Sequence, residues 1–507
     1  MKTLWVFGNQ LSINSEGFSK IDREEDVILL IEAKSRALWK NYHKNKLVLI
    51  FSAMRHFCEE LRHQGYRVDY RQVESFQEGW DQHKQEYQPS EVMLHLPTDW
   101  MMRQLLLKWR NKQKTEGLTV SFLEEPFFLV KAHDWTTLLP ANKTWKLDSV
   151  YRKLRKQFLI LMENEKPIGG KWSYDSENRK PPKQGLSFVE PLFFSPDEQT
   201  KEVIDYVNKA FSENPGTTDQ FNLPVTRQEA SEALSHFIQM RLATFGDYQD
   251  AMLEGEPYMS HSLISSALNI GLLTPLEVIH QAEEAFHNGW ASIAATEGFI
   301  RQILGWREYV RGIYLRAMPE YKDVNFFHHE RKLPQLYWDG KTKMNCLHQT
   351  VTEVVTYGYS HHIQRLMVLG NFANLAQVNP QDVSNWFNTM YTDAHDWVVL
   401  PNVLGMALYA DGGCMSTKPY ISSGQYINKM SNYCKGCHYD VKQRVGECAC
   451  PYNALYWHFL MTHEEVLSIN PRMRMMYTLL DKMSSEEKLK ISNQAKIHLA
   501  LLDKGQL

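Results

Sequence analysis

Four cysteines in this chain are spaced to do chemistry: Cys346, and the run Cys434-x-x-Cys437-x12-Cys450-Pro451. Four thiolates hold one iron–sulfur cluster, and proline directly after a ligand cysteine recurs in iron–sulfur sites. Four cysteines hold zinc equally well, so the spacing leaves both groups open. Cys448 is an alternative fourth ligand. Cys58 and Cys414 lie outside the pattern and read as small buried apolar residues. A second group is the adjacent pair His361 and His362. Histidine alone titrates near neutral pH without perturbation, so such a pair can move protons; spacing by itself describes a core or surface pair equally well. A third group is basic: Arg152, Lys153, Arg155 and Lys156 at helical spacing, with Arg179, Lys180 and Lys183 nearby. These residues either contact phosphate or form a solvated face.

The elements that must position these groups fall into two textures. At 507 residues the chain is long enough for two or more domains. Short β runs at Thr3–Gly8, Asp26–Ala33, Arg67–Val73, Glu91–Leu96 and Leu118–Leu123 alternate with helical stretches. One of these stretches grows out of the apolar Lys46–Phe51 and ends at Gly65. Strands alternating with helices predict a parallel, doubly wound sheet over residues 1–125. Ligands on such sheets sit beyond the carboxyl ends of the strands. Those ends carry Gly8-Asn9-Gln10, Glu32 and Phe51-Ser52-Ala53-Met54, and no Gly-x-Gly-x-x-Gly is present, which argues against a dinucleotide site of the NAD type. Residues 126–225 are broken repeatedly by Gly and Pro, as in Lys180-Pro181-Pro182-Lys183, and read as a connection wrapping the surface. From Thr226 the pattern is helical to the end, opening on a near capping box Thr226-x-x-Glu229 and punctuated by Gly246, Pro257, Gly271, Pro275 and Pro401.

Net charge is −3, so any nucleic-acid surface must be a local patch. The opening run Met1–Gly8 is too short for a signal peptide, and no stretch suggests a membrane span. Seven cysteines, mostly in ligand spacing, point to a reducing cytoplasm.

Four segments of the helical half, taken together with the cysteines, resemble the photolyase/cryptochrome family. They are Ser260-His261-Ser262-Leu263-Ile264-Ser265, Gly298-Phe299-Ile300-Arg301-Gln302-Ile303-Leu304-Gly305-Trp306-Arg307-Glu308-Tyr309, Ser360-His361-His362-Ile363-Gln364-Arg365-Leu366-Met367, and Asp393-Ala394-His395-Asp396-Trp397-x-x-Leu400-Pro401-Asn402. The four cysteines narrow the resemblance to the iron–sulfur bacterial group, the prokaryotic (6-4) photolyases, over essentially the full length. The resemblance implies an α/β antenna domain, a linker and a helical domain (226–507) holding FAD and a [4Fe–4S] cluster on Cys346, Cys434, Cys437 and Cys450. It implies light-driven reversal of (6-4) photoproducts flipped out of damaged DNA, by a monomer.

The resemblance also carries residue roles. His261, Ser262, Leu263 and Ile264 would meet the FAD diphosphate at a helix start. Gln302 would approach the flavin, Arg365 would clamp its edge with Asp396 as carboxylate partner, and Asn402 would face N5. His362 would be the general acid with His361 beside it, and Trp306 part of the pocket wall. Met406 stands where the flavin-proximal tryptophan of the common triad belongs. Trp386, Trp338 and Tyr426 would carry electrons instead, and Phe387, where some relatives have tyrosine, weakens the middle of that route. Gly8, Gln10, Glu32, Phe51 and Met54 would contact a 6,7-dimethyl-8-ribityllumazine antenna. Two alternatives share features with this reading: a cryptochrome-type photoreceptor without repair, and a DNA-binding iron–sulfur protein without photochemistry.

Overall fold

A computed structural model describes residues 1–141, 145–183 and 185–507. Five strands form the N-terminal sheet: β1 (Lys2–Val6), β2 (Val27–Ala33), β3 (Val68–Val73), β4 (Glu91–His95) and β5 (Thr119–Leu123). All pairings are parallel, in the order β3-β2-β1-β4-β5. Every residue of β2 is buried, as expected of a central strand covered by helices on both faces. The outer face packs Trp5, Phe7, Leu29, Ile31, Trp80 and Leu106 into a small core of its own. The inner face, with Leu4, Val6, Ile28 and Leu30, belongs to one continuous core that runs on through the helical half. The apolar stretch after Lys46 is helical from the start, within Lys44–His63, and that helix packs against the helix Glu198–Ala210.

Residues 126–225 do more than wrap the surface. They contribute the helices Leu147–Phe158 and Glu198–Ala210, and they bury Trp135, Leu154 and Val203 completely. The Gly and Pro punctuation marks turns between docked pieces. Arg155 is fully buried here, donating to the carbonyls of Ile160, Leu161 and Trp172. It therefore leaves the expected phosphate patch and acts as the internal clasp of its helix.

The N-terminal half is fastened to the helical half by polar bonds over an apolar contact. Leu11 N–H donates to Ile270 O at 2.8 Å and His43 N–H to Thr389 O at 2.8 Å. Glu308 accepts from the backbone of Leu129 and Val130, and Arg311 donates to Val130 O at 2.6 Å. Lys46, fully enclosed, donates to the carbonyls of Ala394 and Asn388. The predicted capping box closes at Thr226 and Glu229. Pro401, expected to break the helix, does not: it follows Asp396–Leu400 without a turn and opens a π-helical segment, Pro401–Ala407. A proline cannot donate to the preceding turn, and a π turn is one local adjustment that keeps the chain helical past the missing bond. No helix among the described residues is long and apolar enough to cross a membrane.

Candidate functional site

Cys346, Cys434, Cys437 and Cys450 come together around one pocket of about 320 Å³, walled by Met344, Ile427, Tyr433, Tyr439, Val441 and Tyr452. Cys346 opens the helix Asn345–Tyr357, Cys434 and Cys437 flank a single helical turn, and Cys450 caps the helix Pro451–Thr462. Cys448 is exposed, lies outside the pocket wall and accepts a backbone bond from Asp440, so it is not part of this convergence. Burial pushes the thiols of Cys434 and Cys450 up to about 11 and about 12; Cys346 rises further, with the other three thiols adding to its burial. Thiols that raise one another in an apolar pocket suit a positive guest, which would deprotonate them outright. Among the described residues no three His, Cys, Asp or Glu side chains stand in the arrangement of a single-ion site. Thiolates around one zinc ion lie about 3.8 Å apart, from the tetrahedral Zn–S distance. Of the remaining cysteines, Cys58 is buried as expected, while Cys414 is only partly so.

The candidate flavin-facing residues share a backbone device that the sequence did not reveal. Gln302, Arg365 and Asn402 are each the second residue of a π-helical segment: Arg301–Arg307, Gln364–Gly370 and Pro401–Ala407. The last two segments pack on each other. A π turn re-aims one side chain out of register and recurs at functional sites. Gln302 Nε2 donates back to Gly298 O and Asn402 Nδ2 to Val398 O, at 2.9 and 2.8 Å. Each amide thus fixes its own orientation and keeps its oxygen for another donor.

Arg365 lies over the Tyr391 ring at 4.1 Å and donates to Ser360 O at 2.7 Å. Its carboxylate partner is Asp393, at 3.0 Å, and not Asp396. Asp396 begins the next helix and pairs with Lys40 of the N-terminal half at 3.0 Å, beside Asp99. The correction is geometric. Asp393 sits in the turn before the helix and is held from the other side by Ser265 Oγ at 2.8 Å and, through its carbonyl, by Asn269 at 2.9 Å. Burial alone would raise the Asp393 carboxyl, but Arg365 and Ser265 outweigh it and hold it below the ordinary range. The two aspartates stand three positions apart, and nothing in their spacing distinguishes them.

The two histidines part company. His361 is buried and stacks flat on His261, with ring centroids 4.6 Å apart at 8°. Neither of its ring nitrogens has a partner, nor does His261 Nε2. His362 is exposed. Crowding by surrounding protein and the nearby Arg365 cation push it down to about 4. Of the pair, His362 is the one placed to reach a bound molecule. The segment His261, Ser262, Leu263 and Ile264 runs into the helix Ser265–Ile270. Leu263 holds φ at +61° and lines a pocket of about 440 Å³ with Tyr258, Ser265, Ser266, Tyr357 and Tyr359. A left-handed leucine costs roughly 1–3 kcal/mol and persists where surrounding contacts demand it. Orphaned buried nitrogens, a strained turn and two oriented amides are the surface that a dinucleotide with many acceptors would satisfy.

The rings in contact with Trp386 are Tyr337, Phe387 and Tyr391, at 5.2, 5.1 and 5.9 Å. Trp386 is buried, with Nε1 donating to Tyr337 O at 2.9 Å; Trp338 is 40% exposed and Tyr426 is partly buried near Asp250. Phe387 stacks on Tyr391 at 5.1 Å, and Met406 is buried. Trp306 is partly buried, as a pocket wall requires.

The five residues expected to hold an antenna do not make a cradle. Gly8 packs so tightly that an added Cβ would lie 2.7 Å from Met54 Sδ. Glu32 is consumed by Arg55 and by Tyr70 Oη at 2.5 Å, and Phe51 tilts against Tyr206 and Phe211. Only Gln10 Oε1 lacks a partner. Their polar atoms are spent on the fold, and the lumazine assignment to these residues finds no support in their packing. Among the basic residues, Arg152, Lys153, Lys156 and Lys183 are exposed, while Arg179 pairs with Asp175 and Lys180 with Asp247. Burial raises the Tyr420 phenol, and the Arg472 and Arg179 cations only partly oppose it.

The chain is a parallel α/β domain packed on a helical domain that carries three π-helical segments. A bacterial class III photolyase from Agrobacterium tumefaciens has the same fold, with a TM-score of 0.59 at 14% identity, covering 95% of this chain and 98% of that one. A Synechocystis cryptochrome follows at 0.58 and 12%, covering 97% of this chain and 93% of that one. A family model described as "Deoxyribodipyrimidine photo-lyase-related protein" matches residues 4–223. The (6-4) photolyase of Agrobacterium fabrum is 43% identical over 504 residues, covering 98% of this chain and 99% of that protein. The chain therefore belongs to the (6-4) photolyase family, which implies FAD as cofactor and damaged DNA as partner.

Proposed function

We propose that this chain is a light-driven DNA repair enzyme that reverts pyrimidine–pyrimidone (6-4) photoproducts. The observation that carries the reading is full-length similarity to a (6-4) photolyase, joined to the placement of Gln302, Arg365 and Asn402 on three π-helical segments, of which the last two pack on each other. When bound, reduced FAD supplies the electron under blue light.

The chain's own residues do the rest. Arg365, anchored by Asp393, presents a fixed cation to the anionic side of the bound cofactor. The amide oxygens of Gln302 and Asn402 would be free to accept hydrogen bonds from the bound cofactor. The turn at His261–Ile264 and the stacked His261 and His361 close the pocket around the remainder. His362 handles the proton that the lesion needs as it takes up an electron. Its imidazole is neutral at pH 7 in the protein alone, and a phosphate or an electron-rich lesion beside it would raise its pKa toward working pH. The lesion must leave the stack to reach this site. Exposed Arg152, Lys153, Lys156 and Lys183 are available to phosphates, so binding weakens with salt. The four-cysteine pocket would hold a [4Fe–4S] cluster, fastening Cys346 to the C-terminal helices. Four thiols converging on one pocket support a bound group, and the resemblance to the iron–sulfur photolyases favours a cluster over one zinc ion.

The test is blue-light treatment, with a dark control, of DNA carrying either a (6-4) lesion or a cyclobutane dimer. Light-dependent reversal of the first substrate alone, lost roughly 100-fold or more in His362→Ala, is the expected result. Reduced, FAD-loaded protein that repairs neither substrate would refute the reading and leave a photoreceptor.

A further inference from the structure

His362 must be held still to deliver a proton. The structure locates the hold two residues further on. Gln364 is 1% exposed and all three arms of its amide are engaged. Its Oε1 accepts the backbone N–H of His361 at 3.0 Å. Its Nε2 donates to Glu353 Oε2 at 2.6 Å and to Tyr433 Oη at 3.0 Å. The first bond is half of a capping box: His361 is the residue before the helix, and Gln364, three positions on, takes the N–H that the helix leaves unpaired. The other half is missing, because the His361 ring makes no hydrogen bond at all. The start of this helix therefore depends on Gln364.

The two groups that orient the amide come from the cysteine site. Glu353 lies on the helix that begins at Cys346, and Tyr433 directly precedes Cys434. Tyr433 is tied back to that same helix through its carbonyl, which accepts from Asn345 Nδ2 at 3.0 Å. Glu353 is a buried carboxylate with no cation beside it, and Gln364 is its hydrogen-bond donor. Burial raises it to about 8. A flipped amide would set Gln364 Nε2 against the His361 N–H, a donor facing a donor, so the observed orientation is enforced. It is the orientation that caps His361.

We propose that Gln364 is the positioning residue for the proton-transfer histidine, fixing the His361–His362 turn against the four-cysteine site through Glu353 and Tyr433. This rests on the repair reading above. Gln364 touches neither cofactor nor lesion; it acts through the backbone of His361. A displacement of about 1 Å at a reacting group costs on the order of 100-fold in rate, which sets the scale of the effect.

The experiment compares Gln364→Met and Gln364→Glu with wild type in single-lesion repair, reading kcat, KM for (6-4) DNA, flavin and iron per chain, and hydrogen exchange at the His361 amide. Q364M keeps the bulk and removes the acceptor. Its kcat should fall roughly 10- to 100-fold, with KM, flavin and iron near wild type and faster exchange at His361. Q364E restores an acceptor. Below pH 7 it shares one proton with Glu353, as close carboxyl pairs do, and it should stay within about threefold of wild type. Wild-type kcat in a folded Q364M, or a folded Q364E with full flavin and iron that is as slow as Q364M, overturns the proposal. If Q364M does not fold, Q364E alone decides it by the same threefold criterion. Failure of wild type to repair would strike the functional reading instead, and is distinguishable because it appears before any substitution.

Discussion

Asp393→Asn tests the site's electrostatics most directly, because it separates two aspartates three residues apart. Asp393 faces Arg365 at 3.0 Å with 12% of its side chain exposed and 23% of the arginine. Removing one member of a buried pair costs about 3–5 kcal/mol, because the remaining charge stays desolvated. Partial exposure and the Tyr391 ring beneath the guanidinium offset some of this, leaving about 3 kcal/mol. Asp396→Asn should cost about 0–1 kcal/mol. Its Lys40 bridge is 20–23% exposed, and the substitution relieves repulsion that raises Asp99. The assay is urea unfolding of the full chain at pH 7 by circular dichroism, comparing midpoints at a common slope. The sign with pH follows from linkage. The Asp393 pKa is lower folded than unfolded, so its contribution is complete above about pH 4 and fades as pH falls further. The gap between wild type and D393N should narrow in acid. A D396N variant destabilised as much as D393N, or a gap that widens in acid, would refute the assignment.

Three further outcomes are expected. Lys46 is pushed down to about 7 by burial and by Arg36 and Lys40. Between pH 7 and about 10 the unfolded chain holds a proton that the folded chain releases, so this group makes stability rise with pH by up to about 1.4 kcal/mol per unit. Urea midpoints for Lys46→Met should lack that slope, and an unchanged slope would contradict it. Serine at Cys346, Cys434, Cys437 or Cys450 should abolish iron and acid-labile sulfide binding, whereas Cys448→Ser should keep both; metal analysis that finds zinc in place of iron would reverse the cluster assignment. Trp386→Phe should slow light-driven reduction of bound flavin severalfold, seen as loss of oxidised-flavin absorbance, and an unaltered rate would place the electron route elsewhere.

The sheet was legible because its strands are short, apolar and separated by helical lengths, a pattern local enough to read without knowing the partners. The cysteine set was legible because ligand chemistry leaves few other uses for four such thiols. The connection at 126–225 was misjudged, since Gly and Pro report turns and say nothing of whether the pieces between them dock. Arg155 was misplaced for the same reason: a helical basic run does not reveal which member faces inward to cap carbonyls. The structure leaves the antenna residues unassigned, because loop-end positions on a sheet are shared by ligand contacts and ordinary packing, and here Arg55 and Tyr70 bond Glu32 while Met54 packs on Gly8.

By itself, then, the sequence determined the α/β-plus-helical class and the set of four cysteines that converge on one pocket. Those depend on residue type and on periods of a few residues. Tertiary structure alone decided that Asp393 and not Asp396 answers Arg365, that Cys448 stands apart, and that His362 is exposed while His361 is buried. It also placed Gln302, Arg365 and Asn402 on π turns. Each of these is a contact or a register change between segments distant in the chain, set by packing of the whole core, and spacing along a sequence carries no record of it.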